Sequence, residues 1–148
     1  MNELKELTIV RVFDADVATV WHAWTDGAEW THWMHPRGVS LPQDTVSVDL
    51  RVGGRYAFTM VNDTTGDRYP TGGTYLDVVE GERLRYTWGD PDDPVDAAPV
   101  ITLDFRAVGE QTEVSFRLEG ITDELLAARV DSGWRSTFDV LDDYLRGR

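Results

Sequence analysis

Between residues 13 and 34 apolar side chains recur at helical spacing, and beyond residue 44 they alternate. In FDADVATVWHAWTDGAEWTHWM, Val17, Val20, Trp21 and Trp24 stand at i, i+3, i+4 and i+7, one stripe of an amphipathic helix that begins near Asp16. Gly27 interrupts after Asp26, Trp30 and Trp33 sit at helical spacing in a short second helix, and Pro36 ends the run. Four of the six tryptophans fall in this segment, more ring surface than a helix start needs, so they fill a thick core or line a pocket.

Further along the period is two. Val46, Val48 and Leu50, then Tyr56, Phe58 and Met60, Leu84, Tyr86 and Trp88, Ile101, Leu103 and Phe105, and Val114, Phe116 and Leu118 each occupy every second position. Such runs predict an antiparallel sheet with one apolar face, its turns marked by Gly53 and Gly54, Gly66, Gly81 and Gly109. The chain closes with a long helix from Thr122, read as the N-cap, with Asp123 and Glu124 suited to the helix dipole. Leu126, Val130, Trp134, Phe138, Leu141 and Leu145 form its apolar stripe. Gly133 inside that helix costs about 1 kcal/mol relative to alanine, which predicts that something packs there too closely for a side chain.

A large one-faced sheet must curl around the only long helix to hide its apolar side. The expected fold is therefore α+β, a helix-grip in which a curved antiparallel sheet of about six to seven strands wraps a long C-terminal helix, with two short helices after strand one. Residues 1–148 read as one domain. Sheet and helix of this kind leave a gap, expected to be lined by Tyr56, Phe58, Met60, Trp88, Trp134 and Phe138, and pockets of this type span ~300 to 1,000 Å³. Trp24 and Trp33 are further candidate walls, Tyr75 a further inward ring, and His35 the polar group at the mouth.

The order and spacing of several segments resemble the SRPBCC or START-like (Bet v 1-like) superfamily, and within it the activator of Hsp90 ATPase homologue-like family. These are FDADVATVWHAWTD, EWTHWM, VDLRVGGRYAFTM, GGTYLDVVEGERLRYTW, TEVSF and SGWRSTFDVLDDYL, together spanning Leu7 to Leu145. Relatives commonly carry proline where Asp16 stands, a position at which aspartate serves as a cap instead. The resemblance implies the helix-grip and a hydrophobic cavity. It does not select a chemistry, because members include co-chaperones, lipid and hormone carriers and polyketide cyclases.

Composition narrows the partners. Fourteen Lys and Arg against 27 Asp and Glu give a net charge of −13, which repels phosphate backbones and anionic lipid, so neither nucleic acid nor membrane is expected. Asp90, Asp92, Asp93 and Asp96 share a loop, while Asp139, Asp142 and Asp143 share a helix; both groups read as solvated faces. With no cysteine there is no thiol nucleophile and no disulfide, and the opening MNELKELTIV has no apolar block long enough for export or a membrane span. A cytoplasmic protein is expected, and an exposed sheet edge would suit a homodimer.

Candidate chemistry is sparse. His32 and His35 are three apart, but a zinc site needs three or four ligands and the sequence places no third, so no metal and no cofactor is expected. Asp77, Asp104 and Glu119 lie in strand-like segments, where alternation turns Asp104 and Glu119 outward and leaves Asp77 open. GGRY at 53–56 lacks the lysine and helix of a phosphate loop and reads as a turn, with Arg55 within reach of a ligand or a nearby acid. No nucleophile elbow, zinc-protease pair or dinucleotide fingerprint is present. Binding of a small hydrophobic molecule, in stress response or small-molecule metabolism, ranks first. A cyclase-like or dehydratase-like enzyme using His35, Arg55 or Asp77 ranks second, and a co-chaperone-like interaction protein third.

Overall fold

A computed structural model describes residues 5–92 and 98–147. β1 (Lys5–Phe13) leads into α1 (Val17–Thr25) and α2 (Gly27–Trp33), followed by β2 (Val39–Ser40), β3 (Ser47–Val48), β4 (Arg55–Asn62), β5 (Arg68–Val79), β6 (Arg83–Thr87), β7 (Val100–Val108), β8 (Gln111–Ile121) and α3 (Glu124–Arg146). The first four residues of the acidic opening, and Asp93 and Asp96 of the acidic loop, lie outside the described residues. No helix among the described residues is long and apolar enough to cross a membrane.

All three α-helices start on an aspartate. The Asp16 carboxylate accepts the Thr19 N–H at 2.8 Å, and hydrogen bonding from the Thr19 hydroxyl, then from its N–H, holds the Asp16 pKa below the usual value. Asp26 ends α1 and caps α2 by accepting the Ala28 N–H at 2.9 Å. Between them Gly27 is required by closeness, since a side-chain carbon there would come within 2.8 Å of Val46. On α3 the cap is Asp123 and not Thr122: its carboxylate accepts the N–H groups of Leu125 and Leu126 at 2.9 and 3.3 Å.

The sheet is antiparallel throughout, in the order β1-β8-β7-β6-β5-β4-β2, with β3 also paired to β4. It has eight strands, above the expected six to seven, because β2 is a two-residue pairing too short to show a period. Of the run Val46 to Leu50 only Ser47 and Val48 pair, and Leu50 is 39% exposed. Elsewhere alternation holds. Ile101, Leu103, Phe105, Val114, Phe116 and Leu118 are buried, while Asp104 and Glu119 face outward onto Arg83 and Arg117, each at 2.8 Å. Asp77 joins them on that face, in register with exposed Arg85 beyond a bulge that follows Tyr75.

Curvature concentrates in β5, which pairs with β4 as far as Thr74 and with β6 from Tyr75. Gly72 and Gly73 sit at that change. A side-chain carbon on Gly73 would overlap the Thr87 carbonyl, and one on Gly72 would come within 2.7 Å of the Tyr56 carbonyl. Across the concave face lies α3, with the Phe116 ring centroid 4.8 Å from Trp134 and 5.4 Å from Phe138. Pairs of this kind contribute about 0.5–1.5 kcal/mol each beyond the area they bury. The first turn of α3 departs from the expected stripe: Leu126 is 47% exposed and its neighbour Leu125 78%.

Candidate functional site

Where β4 and the end of β6 face α3, side chains do not meet, and a cavity of about 200 Å³ remains. The alternation of β4 supplies Phe58 and Met60, Trp88 follows β6, and Met34 and Pro36 come from the segment after α2. From α3 come Arg129, Val130, Gly133, Trp134 and Thr137. The last four of these lie at i, i+3, i+4 and i+7, a single helix face. Gly133 makes the gap: a side-chain carbon there would meet nothing within 4 Å. The close packing expected at this glycine is therefore absent, and its missing side chain opens space instead. Thr137 Oγ1 donates to the Gly133 carbonyl at 2.9 Å, so the wall near it presents little unsatisfied polarity.

Met34, Phe58, Trp88 and Trp134 also border a narrow crevice of about 10 Å³ that runs inward past Trp24, Trp30, Tyr56, Tyr75, Leu84 and Tyr86. Tyr56 Oη donates to the Thr87 carbonyl at 2.7 Å, and its ring centroid lies 5.5 and 5.3 Å from those of Tyr75 and Tyr86. Burial, the dominant cause, pushes all three phenol pKa values upward. The indole groups nearby are mostly satisfied: Trp30 donates to the Trp24 carbonyl at 3.3 Å and Trp33 to that of Ala23 at 3.0 Å. Trp24 is the exception, 1% exposed and with no hydrogen-bond partner for its Nε1–H. A separate groove of about 270 Å³ lies across Val130 against β1 and β8, bordered by Glu6 and Asp131. Open space thus flanks Val130 on both sides, beside the exposed first turn of α3.

Of the ten residues expected around the pocket, Phe58, Met60, Trp88 and Trp134 meet on the main cavity, and Trp24, Tyr56 and Tyr75 on the crevice. Trp33 and Phe138 are both 0% exposed and lie on neither wall. Trp33 packs edge-on against Trp24 at 4.5 Å and Phe138 between Phe13 and Phe116, so both rings are consumed by the core. His35 is not on the wall either, although Met34 and Pro36 are, and its Nδ1 lies 3.2 Å from the Pro36 carbonyl oxygen. Arg55 donates to the Pro91 carbonyl at 2.6 Å and Asp77 faces the outer side of the sheet. The three polar groups on which a cyclase-like site would depend do not converge.

The histidine chemistry lies elsewhere than expected. His22 Nε2 is 3.0 Å from Asp26 Oδ2 and 2.9 Å from Glu29 Oε2, and Tyr144 Oη donates to the other Glu29 oxygen at 2.8 Å. His32 instead stacks on the Tyr144 ring, centroids 5.3 Å apart. The spacing i, i+4, i+7 of His22, Asp26 and Glu29 is a signal that attention to His32 and His35 passed over. These three donors lie within 4.8 Å of one another and form the one set among the described residues with the means to hold a divalent cation.

Solved structures share the whole architecture. A crystal structure from Chromobacterium violaceum is 27% identical, with 95% of this chain and 97% of that one covered and a TM-score of 0.83. The AHSA1 protein of Silicibacter pomeroyi is 25% identical over 96% of this chain and 98% of its own, with a TM-score of 0.80. A protein of Nitrosomonas europaea, 23% identical over 96% and 94%, has the same fold with a TM-score of 0.82. No curated protein matches the chain. Residues 14–146 match the model of the family described as Activator of Hsp90 ATPase homolog 1-like protein, and the chain belongs to that family.

Proposed function

We propose that this protein binds a small, mainly apolar molecule in the cavity between β4, Trp88 and α3. The observation that carries the reading is the cavity itself: about 200 Å³, walled by Met34, Phe58, Met60, Trp88, Val130 and Trp134, beside a core in which Trp33 and Phe138 are fully buried. Dry apolar cavities of about 150 Å³ take up benzene, so this space suits one or two rings and not a long lipid. The unpartnered Trp24 N–H beside the inner crevice supports the reading, because an occupant bearing a carbonyl or ether oxygen would supply an acceptor. Membership of the family supports a ligand-holding fold in general.

Thermal unfolding in the presence of small aromatic compounds tests this. A compound at 100 times its Kd adds about 2.7 kcal/mol, and at about 2–4 °C per kcal/mol the midpoint rises by roughly 5–10 °C. Gly133→Leu, which places a side chain into the open space, is expected to abolish the rise. Equal rises in the wild type and in Gly133→Leu would show that binding occurs somewhere else.

A further inference from the structure

The ligand of this cavity, we propose, is an anion: a small aromatic carboxylate whose ring packs against Trp88 and Trp134 on the cavity wall and whose charge meets Arg129 at the mouth. This rests on the cavity reading above and adds the ligand's polarity to it. Among the described residues Arg129 is the sole charged one on the cavity wall. It is exposed, as a group at a mouth must be, yet it lines the same space as buried Trp134 and Phe58.

In a chain with 27 acids, arginines on or against α3 have carboxylates. Arg11 pairs with Asp139 at 2.9 Å, Arg37 with Asp143 at 2.7 Å and Arg135 with Asp131 at 2.6 Å. Arg129 makes no ion pair and no hydrogen bond among the described residues. Among the described residues no acid lines the cavity, and the two that border the neighbouring groove, Glu6 and Asp131, lie across Val130.

The helix explains the placement. Arg129 and Gly133 are four apart and share a face, so the guanidinium overlooks the space that Gly133 leaves open. A ring seated there extends a carboxylate back one turn toward Arg129, and the planar fork of donors fits a carboxylate bidentately. Wall polarity fits as well, because the other hydroxyl on it, Thr137, already donates to the Gly133 carbonyl. Among the described residues the cavity wall offers a cationic ligand no carboxylate.

Three probes of one shape separate charge from shape: naphthoate, naphthalenemethanol and naphthalenemethylammonium, titrated calorimetrically into the wild type and Arg129→Gln. Naphthoate is expected to bind at least about five-fold more tightly than the neutral alcohol, a preference reduced from that of a buried pair because Arg129 is exposed, and the ammonium is expected to bind most weakly. Arg129→Gln should erase the preference for naphthoate and leave the alcohol unchanged. Naphthoate binding no more tightly than the alcohol, or a preference that survives in Arg129→Gln, overturns the anion inference while the cavity reading stands. If none of the three probes binds, both fall.

Discussion

Gly133 illustrates how one residue carries two opposed meanings. Glycine inside a helix costs stability, and the space around this one is open, so Gly133→Ala is expected to stabilise the protein by about 0.5–1 kcal/mol, read as a higher urea midpoint at unchanged m-value. A tightly packed site would give the opposite sign. The sequence marked this position but not its meaning, because an interior glycine signals a close neighbour or an absent one with the same letter. Phe58, Met60, Trp88 and Trp134 were legible as pocket residues since strand alternation and helix stripe both turn them inward. Arg129 was not. It borders the stripe beside Val130, where a charged residue reads as solvated surface, and only the end of the sheet opposite it makes that border a cavity mouth. Trp33 and Phe138 read as pocket walls for the complementary reason: periodicity tells which way a ring points, not whether other rings already fill the space before it.

Among the elements, the helices were the most legible, since α1 and α2 each open on an aspartate and carry their stripes. The start of α3 was misplaced by one residue because Thr122 and Asp123 are both able caps, and the choice is made by where β8 releases the chain at Ile121. Asp123→Ala is expected to cost about 1 kcal/mol in thermal unfolding, whereas Thr122→Ala changes stability by a few tenths of that. If the two variants lose equally, the cap assignment is wrong. The short strand β2 shows no pattern for a plain geometric reason, as two residues cannot display a two-residue period, whereas the run Val46 to Leu50 foreshadows β3 but overstates its length; the pairing of both depends on β4 lying alongside. Asp77 was undecidable from alternation alone because the bulge after Tyr75 resets the phase of β5.

For the molecule as a whole, the three buried tyrosines make alkaline pH a readable stress. Burial raises their pKa values in the folded protein above the ordinary phenol value of about 10, so between that value and the folded one the unfolded chain has lost protons that the native state retains. Stability is then fully present below about pH 10 and falls as pH rises, by up to about 1.4 kcal/mol per pH unit for each tyrosine. Urea unfolding compared at about pH 9 and about pH 11 should show the loss, with the tyrosinate absorbance of Tyr56, Tyr75 and Tyr86 added on unfolding, and Tyr56→Phe should make the pH dependence shallower by one proton's share. The curve of β5 has a consequence of another kind. There Gly72 lies against the Tyr56 carbonyl and Gly73 against the Thr87 carbonyl, with the Pro91 ring and the Thr87 hydroxyl packed beside them, so the closest contacts are main chain on main chain. The breadth of the cleft is thus fixed by the frame, while its volume is set by residues such as Met34, Met60 and Gly133 that hang from it. A scaffold divided in this way is able to exchange one guest for another through a few substitutions and still be recognisable as the same architecture.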